Sequence, residues 1–244
     1  MPADLRFATA LVATAAAALA LGGATARTAT TADDPCRAQA GGAKPVHLTA
    51  SDGARIYGLE LGGGKTGVVL AHQYLSDHCE WTDFAKELRA AGLRSIAIDF
   101  RGDGASTVGR GSGVRLDRDI AAAAAKLRAD GSKRVYLVGA SMGGTAVLMA
   151  GRWIRPAVAG VVSLSGPAEF RGLDALAAVK KSRVPERFLA GRLDTGFAED
   201  AHRLMKAAVA RDKAIALYPG ALHGSSLLAD RKAHALVLRF VMRG

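Results

Sequence analysis

The sequence predicts an α/β domain with an open, mostly parallel, doubly wound sheet of about eight strands and helices on both faces. From Pro45 onward, short apolar runs alternate with amphipathic stretches, as strands and helices do when they take turns along a chain. Most of these runs are continuously apolar, which is typical of parallel strands buried on both faces. Polar and glycine residues follow several runs, so we expect a site at the carboxyl edge of the sheet.

The individual elements follow from the same patterns. A turn at 51–53 joins the two leading strands, and Gly92 and Gly131 stand where helices commonly end. Strands are predicted at residues 46–50, 56–61, 68–71, 95–98, 135–138, 158–164, 187–190 and 214–218. Helices are predicted at residues 81–91, 116–129, 142–153, 199–211 and 227–242. No internal repeat or second linker interrupts this order, and we expect one folded domain.

The N-terminal segment has the composition of a secretory signal peptide. An uncharged run of small and apolar residues at 7–26 follows Arg6. An uncleaved membrane anchor is the alternative, since about 20 residues can span a bilayer, but the alanine and threonine content makes it a poor one. We expect a signal peptide at 1–26, a flexible linker at 27–44 and the folded domain at 45–244. The protein is then secreted, with no stable membrane insertion after cleavage.

The formal charge of +11 is spread along the chain and is not gathered in a basic tract. Charge of this kind acts on solubility and on encounters with anionic surfaces. Because no recognition motif or aromatic-interleaved basic patch accompanies it, we expect no nucleic-acid partner. A cell-surface or polyanion-binding protein stays open as an alternative function.

The two cysteines, Cys36 and Cys79, lie in no CxxC or metal-ligand pattern, so we expect neither a redox role nor a metal site. In an oxidising compartment an even pair suggests a disulfide. It would join the segment after the signal peptide to the loop after the third strand. The sequence leaves open whether the geometry allows this bond.

The most specific motif is Gly-Ala-Ser-Met-Gly at residues 139–143. It lies directly between an apolar strand and an amphipathic helix, which is the context of a G-x-S-x-G nucleophile elbow. At such a sharp turn the serine backbone is strained and the flanking positions have no room for side chains. The helix that begins there offers free N–H groups to a developing oxyanion. We interpret Ser141 as a nucleophile, against the alternative of an unreactive Gly-Ser turn.

Further motifs accompany the elbow. They are Ala71-His72-Gln73-Tyr74, the D-x-R-G-x-G-x-S stretch at 99–106, the segment 189–194 that ends in Asp194, and the segment 218–224 that contains His223. Together these motifs resemble the α/β-hydrolase superfamily over nearly all of residues 45–244. The resemblance implies a catalytic domain of the serine-esterase or dienelactone-hydrolase type. Residues 166–193 leave no room for a large cap domain.

A serine hydroxyl needs a base, and the base needs a carboxylate that fixes its tautomer. His223 is the expected base because it follows the last strand and comes after the serine and the acid, in the family's chain order. Asp194, at the end of the seventh strand, is the expected acid and is preferred over Asp200 on the following helix. A helix-capping role is the alternative for Asp194. Surface, packing or loop roles are expected for His47, His72, His78, His202 and His234.

The oxyanion hole is expected to use two backbone N–H groups. The resemblance assigns the first to Met142 and the second to the loop after the third strand, with Tyr74 preferred over Gln73. Gln73 replaces the glycine that the family commonly has there, so we expect a side chain of this loop to point into the pocket. Gln73 and His72 are the expected substrate-binding residues of this loop, with His72 shaping the loop beside the substrate.

The expected reaction is hydrolysis of a carboxylic ester on a small acyl substrate through an acyl-serine intermediate, without cofactor or metal. Thioesters, lactones and peptide amides use the same residues, so a thioesterase or a peptidase stays open. A non-catalytic binding protein of the same fold is a further alternative, because fold does not determine function.

Overall fold

The computed structural model describes residues 34–110 and 114–243. The expected signal peptide and the first part of the expected linker lie outside these residues. The elements in chain order are α1 (Pro35–Ala40), β1 (Lys44–Thr49), β2 (Arg55–Gly62), β3 (Thr66–Ala71), α2 (Thr82–Ala90), β4 (Arg94–Ile98), α3 (Leu116–Ala129), β5 (Arg134–Ala140), α4 (Met142–Trp153), β6 (Gly160–Leu164), β7 (Glu169–Phe170), β8 (Leu173–Asp174), α5 (Ala175–Val179), β9 (Glu186–Gly191), α6 (Thr195–Ala207), β10 (Lys213–Tyr218) and α7 (Arg231–Val241). Within the described ranges, no helix has both the length and the apolar character needed to cross a bilayer.

The main sheet has eight strands in the spatial order β1-β2-β4-β3-β5-β6-β9-β10. The leading hairpin β1–β2 joins the sheet antiparallel to β4, and the remaining neighbours are parallel. The apolar run at the centre of β3, residues 68–71, is fully buried. The predicted mostly parallel sheet of eight strands is therefore confirmed, and the carboxyl ends of its parallel strands share one edge.

Two apolar cores cover the two faces of the sheet, as predicted. One core contains buried side chains of α3, α4, α5 and α6. The other contains buried side chains of α1, α2 and α7. The strands between the two cores are packed on both faces, so the residues that follow them at the carboxyl edge are held in fixed positions.

Two helices differ from their predicted bounds for local reasons. Helix α6 begins at Thr195, directly after the strand-terminal Asp194, where the apolar periodicity predicts a later start. The predicted helix at 227–242 is divided into a 3-10 turn, Gly224–Ala229, and α7. Asp230 causes the break because its carboxylate accepts hydrogen bonds from the first backbone N–H groups of α7 and so caps a new helix.

The last part of the expected linker forms helix α1, which differs from the flexible segment expected at 27–44. Asp34 caps it by accepting from the N–H groups of Cys36 and Arg37, and Pro35 occupies the first turn, where its missing N–H costs nothing. Cys36 and Ala40 are buried on the core beneath α2. Capping and burial act together here, and apolar periodicity alone does not reveal them.

A disulfide joins Cys36 of α1 to Cys79, with the two Cα atoms 5.4 Å apart, which confirms the suggested pairing. The bond closes a loop with a sequence separation of 43 residues. Such a loop restricts the unfolded chain, so the Cys36→Ser/Cys79→Ser variant is expected to lose about 2–4 kcal/mol of unfolding free energy. Urea unfolding followed by circular dichroism measures this loss. An unchanged midpoint would contradict the expectation, and reduced wild-type protein should match the variant.

Candidate active site

The nucleophile elbow lies where β5 ends and α4 begins. Ser141 is the single residue between them, with φ of 47° and ψ of −114°, a conformation that is strained for any residue with a side chain. A Cβ atom at Gly139 would collide with the backbone of Gly143, and one at Gly143 would collide with the carbonyl of Ala71. Both motif glycines are therefore required by the close approach of strand, helix and the end of β3.

The structure joins the predicted base directly to the predicted acid. His223 follows β10, and its Nδ1 lies 2.8 Å from Oδ2 of Asp194, which follows β9. Ser226 fixes the backbone of His223 by bonding to both its N–H and its carbonyl. The ring of Phe197 packs on the imidazole with centroids 4.2 Å apart. The imidazole is thus held on two sides, as a base in a fixed orientation must be.

Asp194 stands at the N-cap position of α6 but does not cap it. Its side chain makes no bond to the first N–H groups of the helix and points instead to His223. The rival carboxylate, Asp200, accepts from the N–H of Ala168 and from Arg203. This geometry favours Asp194 over Asp200 as the partner of the histidine, and it opposes the capping alternative.

The chain neighbours of Ser141 and His223 lie close together. A Cβ atom at Gly224 would lie 3.5 Å from the Cβ of Ala140. The residue after the histidine therefore packs on the residue before the serine. In the described part of the chain, the one side-chain hydrogen bond that His223 makes is to Asp194. Catalytic hydrogen bonds to the nucleophile are commonly long before substrate binds.

The loop that follows β3 contains His72, Gln73 and Tyr74 and is called the oxyanion loop after its expected role. His72 orders this loop from within the core. Its Nε2 accepts from the N–H of Phe100 at 3.0 Å, so Nδ1 carries the proton and donates to the carbonyl of Gln73 at 2.8 Å. Burial lowers the pKa of His72, which keeps the ring neutral. The side chain is fully buried, so the expected place beside the substrate is corrected: His72 shapes the loop without contacting what binds there.

The backbone N–H of Gln73 donates to Oε1 of Glu80 at 3.1 Å and is therefore already engaged. This leaves the N–H of Tyr74 as the preferred second donor of the oxyanion hole. Met142, the expected first donor, opens α4, so its N–H is among those not used within the helix. The side-chain oxygen of Gln73 lies against Gly224, at the spot a Cβ there would occupy. Gln73 thus fills the space between the oxyanion loop and the histidine loop.

Glu80 is a half-buried acid that contacts the backbone of Gln73, and its partial burial raises its pKa from 4.5 to about 7. The pKa in the fold lies above that of the unfolded chain. Its contribution to stability is therefore fully present below pH 4.5 and is lost as the pH rises through 7. Relative to wild type, Glu80→Gln is expected to gain about 2–3 kcal/mol of unfolding free energy between pH 5 and pH 8.

Urea titrations of both proteins at the two pH values measure that change. The exposed Glu169→Gln variant is the matched control, and its difference from wild type should stay the same at both pH values. An equally constant difference for Glu80→Gln would show that Glu80 ionises with an ordinary pKa.

One cluster among the described residues has the ligand types of a metal site, namely Asp34, Cys36, His78 and Cys79. Both sulfur atoms are used by the disulfide. The imidazole of His78 is held between carboxylates, with Nδ1 2.7 Å from Asp99 and Nε2 3.1 Å from Asp34. This arrangement connects α1 to the loops that follow β3 and β4. It takes no part in the reaction proposed for the site.

Sequence patterns do not identify several residues that the fold brings to the site. Glu80 and Phe197 contact the oxyanion loop and the base, and Phe170 and Arg171 pack on Tyr74. These contacts join segments distant in sequence, and no local motif marks them. The one available signal is the aromatic residue three positions after Asp194.

The chain is similar to one known protein family and to several solved structures. The family model described as "Serine aminopeptidase, S33" matches residues 64–175, which include the elbow and the oxyanion loop. An esterase of Pyrococcus furiosus has a similar structure, with a TM-score of 0.71, 20% identity, and coverage of 82% of this chain and 92% of that one. No curated protein sequence matches the chain significantly.

Two other solved structures give the same result. An esterase from Exiguobacterium antarcticum has a TM-score of 0.65 and 16% identity, and covers 81% of this chain and 99% of its own. The esterase RhEst1 from Rhodococcus sp. ECU1013 has a TM-score of 0.68 and 17% identity, with coverage of 82% and 99%. At such identities the likeness concerns the fold. The chain has the α/β-hydrolase fold. It is similar in structure to the esterases named above.

Proposed function

We propose that the protein is a serine hydrolase that cleaves carboxylic esters, with Ser141 as nucleophile, His223 as general base and Asp194 as the acid that orients it. The observation that carries this proposal is the 2.8 Å contact between Nδ1 of His223 and Oδ2 of Asp194, at the sheet edge where the strained Ser141 lies. If the contact between His223 and Asp194 were only structural, a strained serine at the same sheet edge would have no explanation.

In the proposed reaction, Ser141 Oγ attacks the ester carbonyl carbon and its proton passes to Nε2 of His223. The carbonyl oxygen becomes negative and is stabilised by the N–H groups of Met142 and Tyr74. His223 then gives its proton to the departing alcohol. Water then attacks the acyl carbon and loses a proton to His223, and His223 returns that proton to Ser141 Oγ as the acid leaves. Asp194 stays ionised throughout and stabilises the imidazolium.

The ester class is preferred because the similar solved structures named above are esterases. The serine aminopeptidase description of the matching family model favours amide hydrolysis as the second candidate. A 4-nitrophenyl ester, the matching thioester and an aminoacyl 4-nitroanilide distinguish these classes, because the acyl group is attacked in the same way while the leaving group changes. The highest kcat/KM on the ester is the expected result.

Labelling with a fluorophosphonate, followed by peptide mapping, tests the nucleophile. Wild-type protein should be modified at Ser141, Ser141→Ala should not be labelled, and the exposed-turn variant Ser51→Ala should label as wild type does. Wild-type protein that neither labels nor hydrolyses any of the three substrates would support the non-catalytic binding alternative.

We also propose that the protein is exported, with residues 1–26 removed as a signal peptide. The disulfide between Cys36 and Cys79 supports this, since such bonds persist in oxidising compartments. N-terminal sequencing of the exported protein tests it. A start after residue 26 agrees with the proposal, and an intact N-terminus retained in the membrane fraction supports the anchor alternative.

A further inference from the structure

A short hairpin beside the site has an unusual residue at its turn. Strands β7 and β8 are joined by Arg171 and Gly172, with φ of 46° and 87°. Two-residue turns with positive φ at both positions strongly prefer asparagine, aspartate or glycine. Arginine at the first position is locally unfavourable, and residues that break a local rule in this way are typical of functional sites.

The hairpin rests on the first turn of the nucleophile helix. Thr145, one turn after Ser141, donates through Oγ1 to the carbonyl of Pro167 at 2.7 Å. A Cβ atom at Gly144 would lie 2.9 Å from the Cα of Gly166, so the two segments are in close contact. The chain that leads into β7 is therefore fixed relative to the elbow, and the turn residue projects from a rigid base.

The guanidinium of Arg171 lies over the oxyanion loop. Its Cζ is 4.4 Å from the centre of the Tyr74 ring and 5.7 Å from that of Phe170. The two rings are themselves in contact, with centroids 5.7 Å apart. Tyr74 is the expected second donor of the oxyanion hole, so the positive charge stands at the entrance to the reacting centre. Stacking on rings leaves the N–H groups at the guanidinium edge free to bind a ligand.

Two carboxylates near the hairpin are engaged elsewhere, and in the described part of the chain the exposed Glu169 of β7 forms no ion pair with Arg171. Asp174 accepts from the N–H of Ala177 at the start of α5, and Asp200 binds Arg203 and the N–H of Ala168. Across the ranges 34–110 and 114–243, Arg171 takes part in no salt bridge. An exposed guanidinium held on the rings of Tyr74 and Phe170 is suited to binding an anion, because its fork of N–H groups matches a carboxylate.

We propose that Arg171 selects substrates carrying a negative charge, so that the preferred substrates are esters with a free carboxylate, such as half-esters of short dicarboxylic acids. The inference rests on the proposed function and specifies its substrate class. The carboxylate binds the edge of the guanidinium while the ester carbonyl lies over Ser141. The overall charge of +11 adds a general attraction for anions, which a test must separate from the local effect.

The test compares 4-nitrophenyl butyrate, which is neutral, with mono-4-nitrophenyl glutarate, which is similar in length and carries a carboxylate. Arg171→Asn is the informative variant because asparagine suits a positive φ, so folding is preserved. Arg211→Asn is the matched control: it removes the same charge from an exposed position before β10, at the opposite edge of the sheet.

Arg171→Asn is expected to lower kcat/KM for the glutarate ester about tenfold, mainly through KM, because a charge-assisted hydrogen bond is lost. The butyrate ester should change less than about twofold, and Arg211→Asn should leave the ratio of the two substrates unchanged. An equal loss on both esters would overturn the inference, because Arg171 would then only support Tyr74. An unchanged substrate ratio would overturn it as well.

These outcomes are distinct from failure of the proposed function. Hydrolysis of both esters without dependence on Arg171 removes the inference and keeps the serine hydrolase. Absence of hydrolysis and of fluorophosphonate labelling in wild-type protein removes both. A thermal midpoint of Arg171→Asn at or above that of wild type verifies that any loss of rate comes from binding.

Discussion

The Ser141→Ala variant is expected to lose ester hydrolysis almost completely, with kcat reduced about 10⁶-fold, because the acyl-enzyme cannot form. Its fold should be retained. Serine and alanine have the same steric conflict at a φ of 47°, so the exchange adds little backbone strain. Ser141→Gly separates chemistry from strain: it should be equally inactive but more stable by about 1 kcal/mol, because glycine adopts positive φ freely.

Stopped-time hydrolysis assays and urea unfolding of both variants measure these two effects. A residual rate within about 100-fold of wild type in Ser141→Ala would mean that another group performs the attack. A glycine variant less stable than the alanine variant would contradict the strain assigned to the elbow.

The Asp194→Asn variant is expected to lose about 10⁴-fold in kcat while keeping its fold. An amide in place of the carboxylate favours the wrong histidine tautomer and leaves the imidazolium unstabilised. The carboxylate contacts His223 at 2.8 Å and makes no bond to its own helix, so the change affects the base and not α6. Substrate affinity should change little, and the loss should fall on kcat.

Asp200→Asn is the matched comparison. Asp200 lies in α6, the helix that Asp194 precedes, and it binds Ala168 and Arg203. It should retain activity within about tenfold and lose some stability at the base of the hairpin. If the two variants exchanged these results, Asp200 would be the catalytic acid and the observed contact of Asp194 would be structural.

The fold could be predicted from sequence where the physical cause is local. The apolar runs of β3 and β5 are buried on both faces, and the elbow at Ser141 follows from a glycine pattern that only a sharp turn requires. Asp230 shows the limit of periodicity: the apolar spacing continues across it, yet one capping side chain divides the helix. Helix α1 depends on a cap, a proline and a disulfide acting together.

The remainder of the site could not be predicted because it depends on contacts between distant segments. The backbone N–H of Gln73 is occupied by a bond to Glu80, which favours Tyr74 as the proposed oxyanion donor, and neither residue reveals this bond by its neighbours in the chain. The stacking of Arg171 on Tyr74 depends on the path of a hairpin that no pattern marked. The sequence places His72 in the oxyanion loop, whereas its full burial depends on the packing of β3 and β4.

The three side chains proposed for catalysis follow strands that differ in their place in the sheet. Ser141 follows the interior strand β5, whereas Asp194 and His223 follow β9 and β10, and β10 has a single neighbour in the sheet. Border strands open more readily than interior ones. Partial fraying along β10 would therefore withdraw the base while the nucleophile stays in place, and heating should abolish turnover before the rest of the molecule melts.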